Sequence, residues 1–258
     1  MPPSSPHSPT RVLLIQVRTA TDPMSAHEEA CVRRRLGARA FELQVRNALV
    51  ESAQPSWLDD CDAFILGGSG DFSVHHPESQ PWVTPLRSVI EAALVQERPG
   101  FGICFGHQLL GYHLGAPVET APDHAEMGTV DVDVTPAGRQ SHLLAGLPTR
   151  FPVHTGHSDC VTEVPPEVEV IASNARLHTQ GFKVKGQLFY SVQFHPDMSG
   201  AEARARYLAY REGFAERLDP SALNRAERFA LGRDDSIALL GRFLDEVQAS
   251  QPLTPDPA

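Results

Sequence analysis

Gly100-Phe101-Gly102-Ile103-Cys104-Phe105-Gly106-His107-Gln108-Leu109-Leu110-Gly111-Tyr112-His113-Leu114-Gly115 is the stretch that decides how this chain is read. Around Cys104 it has the form Gly-x-Cys-x-Gly, the cysteine version of a strand-to-helix turn that carries a hydrolase nucleophile. Such a turn holds one residue in a strained conformation and needs small neighbours so the backbone can fold tightly around it. Gly102 and Gly106 supply that room. The turn lifts the sulfur above the end of a strand, over the start of the next helix, whose free amides favour a thiolate. The bland alternative is a buried structural cysteine at a glycine-rich turn, and the rest of the chain decides between the two.

Upstream, residues 11–17 (Arg-Val-Leu-Leu-Ile-Gln-Val) form the short apolar run of a buried parallel strand. A charged helix over 26–36 closes at Gly37, and 41–46 is a second strand. Residues 62–66 (Asp-Ala-Phe-Ile-Leu) are a third, running into Gly67-Gly68-Ser69-Gly70-Asp71. That cluster reads either as a plain turn or as a loop whose N–H groups face a ligand at the strand's carboxyl end. No lysine follows it, so it is not a phosphate loop. His75 and His76 lack a second pair at helical spacing and read as surface loop, not a metal site. The loop 71–81 is a candidate for shaping a pocket. Residues 82–98 have helical periodicity, with Leu86, Val89, Ile90, Ala93 and Leu94 on one face.

Downstream, 101–103 is the strand feeding Cys104 and 106–113 its helix. Strand patterns follow at 116–119, 127–135, 151–154, 168–172, 181–184 and 188–194, with 155–159 (Thr-Gly-His-Ser-Asp) as a polar loop. Val130, Val132 and Val134 alternate with Asp131 and Asp133, which marks a solvated strand face better than a metal pair. The last run ends in His195-Pro196-Asp197, where proline blocks the ladder and leaves His195 at a strand end. Helices are expected over 201–218, 224–231 and 234–247, the last with Ser236, Leu239, Leu240 and Phe243 as a buried stripe. Residues 1–10 and 249–258 read as disordered tails around a single domain over 11–248.

The 258 residues carry 22 Lys and Arg against 32 Asp and Glu, a net charge of −10, which argues against a nucleic-acid surface. No apolar run approaches the length of a membrane span, and the N-terminus lacks the regions of a signal peptide. Cys31, Cys61, Cys104 and Cys160 are widely spaced, which suits a reducing, cytoplasmic setting better than a disulfide framework.

A cysteine nucleophile needs a base, and the base needs an orienter. His195 and Asp197 are two apart at a strand end, and residues at that spacing share a side. An oxyanion hole takes the N–H after the nucleophile, here Phe105, plus one from another loop, for which Gly68 is the natural donor.

Four segments, in this order, resemble the class I (triad-type) glutamine amidotransferase family, in its GMP-synthase-like branch. They are 65–71, the elbow 102–108, His157-Ser158-Asp159 and Val192-Gln193-Phe194-His195-Pro196-Asp197. The similarity covers roughly residues 11–200. It implies a flavodoxin-like three-layer α/β fold, a mostly parallel central sheet flanked by helices, with the C-terminal helices as an extension. It implies attack of Cys104 on a glutamine side-chain amide, with His195 and Asp197 completing the triad and Gly68 and Phe105 holding the oxyanion. Gly70, Gln108, His157, Ser158 and Asp159 would bind the amino-acid portion, and no metal or cofactor is required.

Two positions depart from the family pattern. Asp197 stands where the family has Glu, a loss of about 1.5 Å of reach, so a histidine shift or a bridging water is expected. Ser158 replaces a glycine, which is expected to alter the backbone there. No ATP-binding module follows residue 200, so ammonia would pass to a separate synthetase subunit, or the protein would act alone. Acting alone, it would hydrolyse glutamine or γ-glutamyl peptides. A non-catalytic binding or regulatory member of the fold is the third reading.

Overall fold

The alternation of side chains in the first strand sets up a three-layer arrangement. In the computed structural model, which describes residues 8–217, 228–232 and 234–251, β1 (Thr10–Val17) pairs in parallel on both sides. Leu13, Ile15 and Val17 enter one apolar layer, while Val12 and Leu14 enter the other. A strand buried on both faces requires this continuous apolar run. The chain continues through α1 (Met24–Leu36), β2 (Phe41–Asn47), β3 (Ala63–Ser69), α2 (Gln80–Val95), β4 (Gly100–Ile103) and α3 (Phe105–His113). β5 (Val118–Thr120), β6 (Glu126–Val134), α4 (Pro136–Gln140), β7 (Arg150–His157), β8 (Asp159–Val161) and β9 (Val168–Ser173) follow. The last elements are β10 (Gly181–Val184), β11 (Phe189–Val192), α5 (Gly200–Arg217) and α6 (Leu239–Ser250).

Nine strands form one sheet in the order β2-β1-β3-β4-β11-β10-β9-β6-β7, and β5 pairs with β8 separately. The first five run parallel, and the remainder join antiparallel. The expected α/β sheet flanked by helices is present. α2 and α3 cover one face through Val83, Leu86, Ile90, Phe105 and Leu109. α1 and α6 cover the other through Val32, Leu36, Leu240, Phe243 and Val247. The topology matters most at β11. Val192 pairs with Ile103 of β4, so the chain leaves both strands at the same edge, beside Cys104.

Several expectations need correction. Residues 155–157 are not loop: β7 runs on through Thr155, Gly156 and His157, which pair with β6. β3 extends through the glycine cluster to Ser69, with an irregularity in register opposite Ile15–Val17. Thr10 is a strand residue and Ser250 a helix residue, so the ordered chain intrudes on both expected tails; residues 1–7 and 252–258 lie outside the described residues. Of the helix expected over 224–231, residues 224–227 lie outside the described residues, and 228–231 are not α-helical. Among the described residues, no helix is long and apolar enough to cross a membrane.

A Cβ on Gly106 would lie 2.4 Å from the Leu66 carbonyl oxygen, whereas one on Gly232 would meet nothing within 4 Å. Gly106→Ala is therefore expected to lower unfolding free energy by about 3 kcal/mol, while Gly232→Ala stays within about 0.5 kcal/mol. Denaturant unfolding measures both, and equal effects would remove the packing argument for the elbow.

Candidate active site

The elbow is built as its glycines suggest. Cys104 has φ 50° and ψ −95°, a left-handed conformation that costs a non-glycine residue about 1–3 kcal/mol. It is held from both sides: its N–H donates to Val192 O at 2.8 Å, and its carbonyl accepts from Gln108 N at 3.0 Å. A Cβ on Gly102 would lie 2.8 Å from the Gly106 backbone, so neither glycine admits a side chain. α3 begins at Phe105, and N–H groups in a helix's first turn have no intrahelical acceptor.

His195 lies beyond the end of β11, in the turn through Pro196, rather than within the strand. Its backbone N–H donates to His154 O at 2.8 Å. Its Nδ1 is 3.0 Å from Asp197 Oδ1, and its ring lies close enough to Cys104 for the sulfur to favour its charged form. Neither the expected histidine shift nor a bridging water is needed, because the tight turn supplies the reach that a longer side chain would otherwise give. Asp197 is 1% exposed, and its other oxygen accepts from Arg206 Nη1 of α5 at 3.0 Å.

Burial opposes charge on His195, but Asp197 and the Cys104 sulfur outweigh it and push the imidazole up to about 9. Burial likewise works against the Asp197 carboxylate. Arg206 first, then His195, overcome it and hold the group well below its ordinary range. His107, also in the elbow, is a different case. Buried against Phe182 and bonded to Ser191 Oγ at 2.9 Å, it is driven by burial down to about 3 and stays neutral.

A cleft of about 340 Å³ opens beside Cys104 and is lined by Gly70, Gln108, His157, Ser158 and Asp159. All five residues expected to bind substrate therefore meet at one place, although two are turned to structural use. The Gln108 amide donates to Asp159 O at 2.8 Å and to Gln193 Oε1 at 3.3 Å. The His157 ring spans Asp159 O at 3.0 Å and Glu126 Oε2 at 3.4 Å. Asp159 accepts from Thr120 Oγ1 at 2.6 Å. Ser158 is not among the described residues of positive φ, so the glycine replacement leaves an ordinary backbone. Gly68 faces the reacting groups: a Cβ there would lie 3.0 Å from His195 Cε1 and 3.8 Å from Cys104 Cβ. Gly70 lies beneath Tyr210 of α5, whose ring would be 2.9 Å from an added Cβ. Phe72, from the loop 71–81, also lines the cleft.

Sequence reasoning missed Arg206, Gln193 and Glu126. Gln193 lies inside the motif that ends in His195 and donates to Cys104 Sγ at 3.6 Å. Glu126 is buried; desolvation raises its carboxyl, but His157, Asn174 and Gln180 together hold it below the usual range. Arg206 had one available signal. Ala203, Arg206, Tyr207 and Tyr210 fall at i, i+3, i+4 and i+7, one helical face carrying a single cation.

A strained cysteine after a parallel strand, facing a histidine and a carboxylate at the sheet's carboxyl edge, has the layout of a cysteine-dependent α/β hydrolase or acyl transferase. The glutamine amidotransferase class-I family model matches residues 28–211, and the chain belongs to that family. A 203-residue stretch is 29% identical to a subunit of the glutamine-hydrolysing GMP synthase of Thermoplasma volcanium, covering 77% of this chain and 93% of that protein. A 104-residue stretch is 38% identical to the glutamine-hydrolysing GMP synthase of Limosilactobacillus reuteri, covering 40% of this chain but only 20% of that protein. The chain thus spans about a fifth of that relative's length. A glutamine amidotransferase from Thermotoga maritima shares the fold, with a TM-score of 0.69 and 22% identity over 95% of this chain and all of that one.

Asp197→Asn removes the carboxylate that lifts His195, so its ring titration is expected to fall well below about 9. NMR of the histidine ring checks this, and an unmoved titration would break the assigned contact.

Proposed function

We propose that the protein hydrolyses the side-chain amide of L-glutamine, with Cys104 as nucleophile, His195 as acid and base, and Asp197 as its orienter. The observation that carries the reading is the His195–Asp197 pair set beside Cys104, at a strained turn bordering a cleft. The raised imidazole keeps a proton on His195 at neutral pH.

The sulfur attacks the γ-carbonyl, and the developing oxyanion is received by the N–H groups of Phe105 and Gly68. Collapse breaks the C–N bond, and His195 gives its proton to the departing ammonia. A γ-glutamyl thioester remains. Water, losing a proton to the now neutral His195, releases glutamate and restores the cysteine. Gly70, Gln108 and the backbone of residues 157–159 hold the amino-acid end, with Gln108 and His157 stiffening that wall rather than spending every donor on substrate. One observation supports a separate synthetase subunit as the ammonia acceptor: the Thermoplasma relatives are each named as one subunit of a GMP synthase.

Glutamate release from L-glutamine tests the reading. Cys104→Ala is expected to lose activity by about a thousandfold or more, and a glutamine-like chloroketone should label the parent protein at Cys104 but not the variant. Undiminished turnover in the variant, or labelling elsewhere, would overturn the assignment.

The rate should also fall as pH rises through about 9, because His195 then loses the proton it must donate. A pH–rate profile extended to the alkaline side reads this, and a rate still rising above that pH would contradict His195 as the acid.

A further inference from the structure

A second cavity borders His195 instead of Cys104. The two share Ser69 and Gly156 in their walls, so they adjoin beside the reacting groups. The wall on the His195 side is built from Met127, Met198, Ala203, Tyr207 and Phe229. With Cys31, those five form a buried apolar cluster separate from the two that pack the sheet. Thioether and aromatic walls suit an apolar guest of variable shape. Two polar atoms in this wall, Thr155 Oγ1 and Arg206 Nε, are buried without a hydrogen-bond partner. Their residues are 2% and 5% exposed. Buried polar groups are normally paired, so two unpaired ones on residues that line one cavity mark this wall out from the rest of the core.

His195 must deliver its proton to the leaving nitrogen, so any substituent on that nitrogen projects to the His195 side. Ammonia carries no substituent and has no use for an apolar chamber. We propose that this cavity is a leaving-group subsite for primary amines with an apolar substituent, so that γ-glutamyl amides of such amines are substrates. The proposal rests on the assignment of Cys104 and His195 given above. The Arg206 guanidinium in the wall disfavours a second positive charge on the amine. In the reaction the Cys104 sulfur bonds the γ-carbon, the C–N bond breaks, and the His195 proton passes to nitrogen. The neutral amine leaves through the apolar chamber. Water then cleaves the thioester, giving glutamate.

Binding to Cys104→Ala, measured by calorimetry, tests the subsite without chemistry. The probes are L-glutamine, its γ-N-methyl, N-propyl and N-benzyl amides, and the N-(2-aminoethyl) amide. Affinity should rise about fourfold per methylene buried, with the benzyl amide at least about tenfold tighter than glutamine and the aminoethyl amide weaker than the propyl. Propyl and benzyl amides that bind no better than glutamine overturn the proposal. In the parent enzyme, Ala203→Leu, which fills the chamber from α5, should cut the propylamide-to-glutamine ratio of kcat/KM at least about tenfold. Phe229→Trp serves if the first variant fails to fold, and an unchanged ratio in a folded variant counts against the subsite. Cys104-dependent glutamine turnover without any preference among the amides refutes the subsite and leaves the Cys104 assignment standing. Tight amide binding with turnover that survives loss of Cys104 does the reverse.

Discussion

One buried carboxylate ties the molecule together. Asp197 gives one oxygen to His195 and the other to Arg206, and all three are nearly inaccessible to solvent. Removing a single partner from such a cluster costs about 3–5 kcal/mol, because the charge left behind stays buried. The pH window follows from the shifts. His195 titrates above its ordinary 6.5, so its contribution to stability is complete below that value and is lost as pH rises through about 9. Asp197 is depressed, so its contribution is complete above the ordinary 3.8 and is lost as pH falls through its lowered value. The cluster is therefore strongest across neutral pH, where the chemistry proposed above needs an imidazolium beside a carboxylate.

Arg206 can play this part only if α5 lies over the sheet edge, and a second buried charge network puts it there. Arg18, at the end of the first strand, is fully buried and bonds Glu28 through two contacts of 2.9 Å. A paired fork of this kind is the strongest way to hold a guanidinium out of water. Its remaining donor reaches the Tyr210 hydroxyl, which in turn donates to Asp22. Gly67 and Gly70 make the approach feasible, since a Cβ on either would strike Glu28 or the Tyr210 ring. Glu202, near the start of the same helix, bonds Ser199 and takes Arg34 and Arg35 from α1. The glycine cluster thus serves three neighbours at once, with Gly68 against His195, Gly67 against Glu28 of α1 and Gly70 against Tyr210 of α5, the helix that carries Arg206.

What the sequence disclosed divides along the range of the interactions. The elbow was legible because its constraint is local: two glycines and a cysteine at fixed spacing are needed wherever the chain makes that turn. The buried strands were legible from their apolar runs, and His195-Pro196-Asp197 from its punctuation. β7 was cut short because Thr155, Gly156 and His157 look like turn residues. Pairing with β6 and the buried Glu126 override that preference, as tertiary context often does. Glu126, and Arg206 apart from its place on an aromatic helical face, were missed for a related reason. A charged residue in a polar segment reads as surface, and only the fold shows that it is buried against a partner distant in sequence.

The shortened carboxylate, read from sequence as a weakness, follows from the same geometry. The turn brings residue 197 back to within 3.0 Å of Nδ1, so Asp197 reaches the ring and still leaves an oxygen for Arg206. Alignment of the imidazole and docking of α5 are thereby one interaction seen from two ends. The face of α5 that supplies Arg206 also supplies Ala203, Tyr207 and Tyr210 to the chamber beside His195. Anything seated in that chamber presses on the helix that holds Asp197 in place. One face of one helix therefore borders the chamber and also supplies the cation that neutralises Asp197.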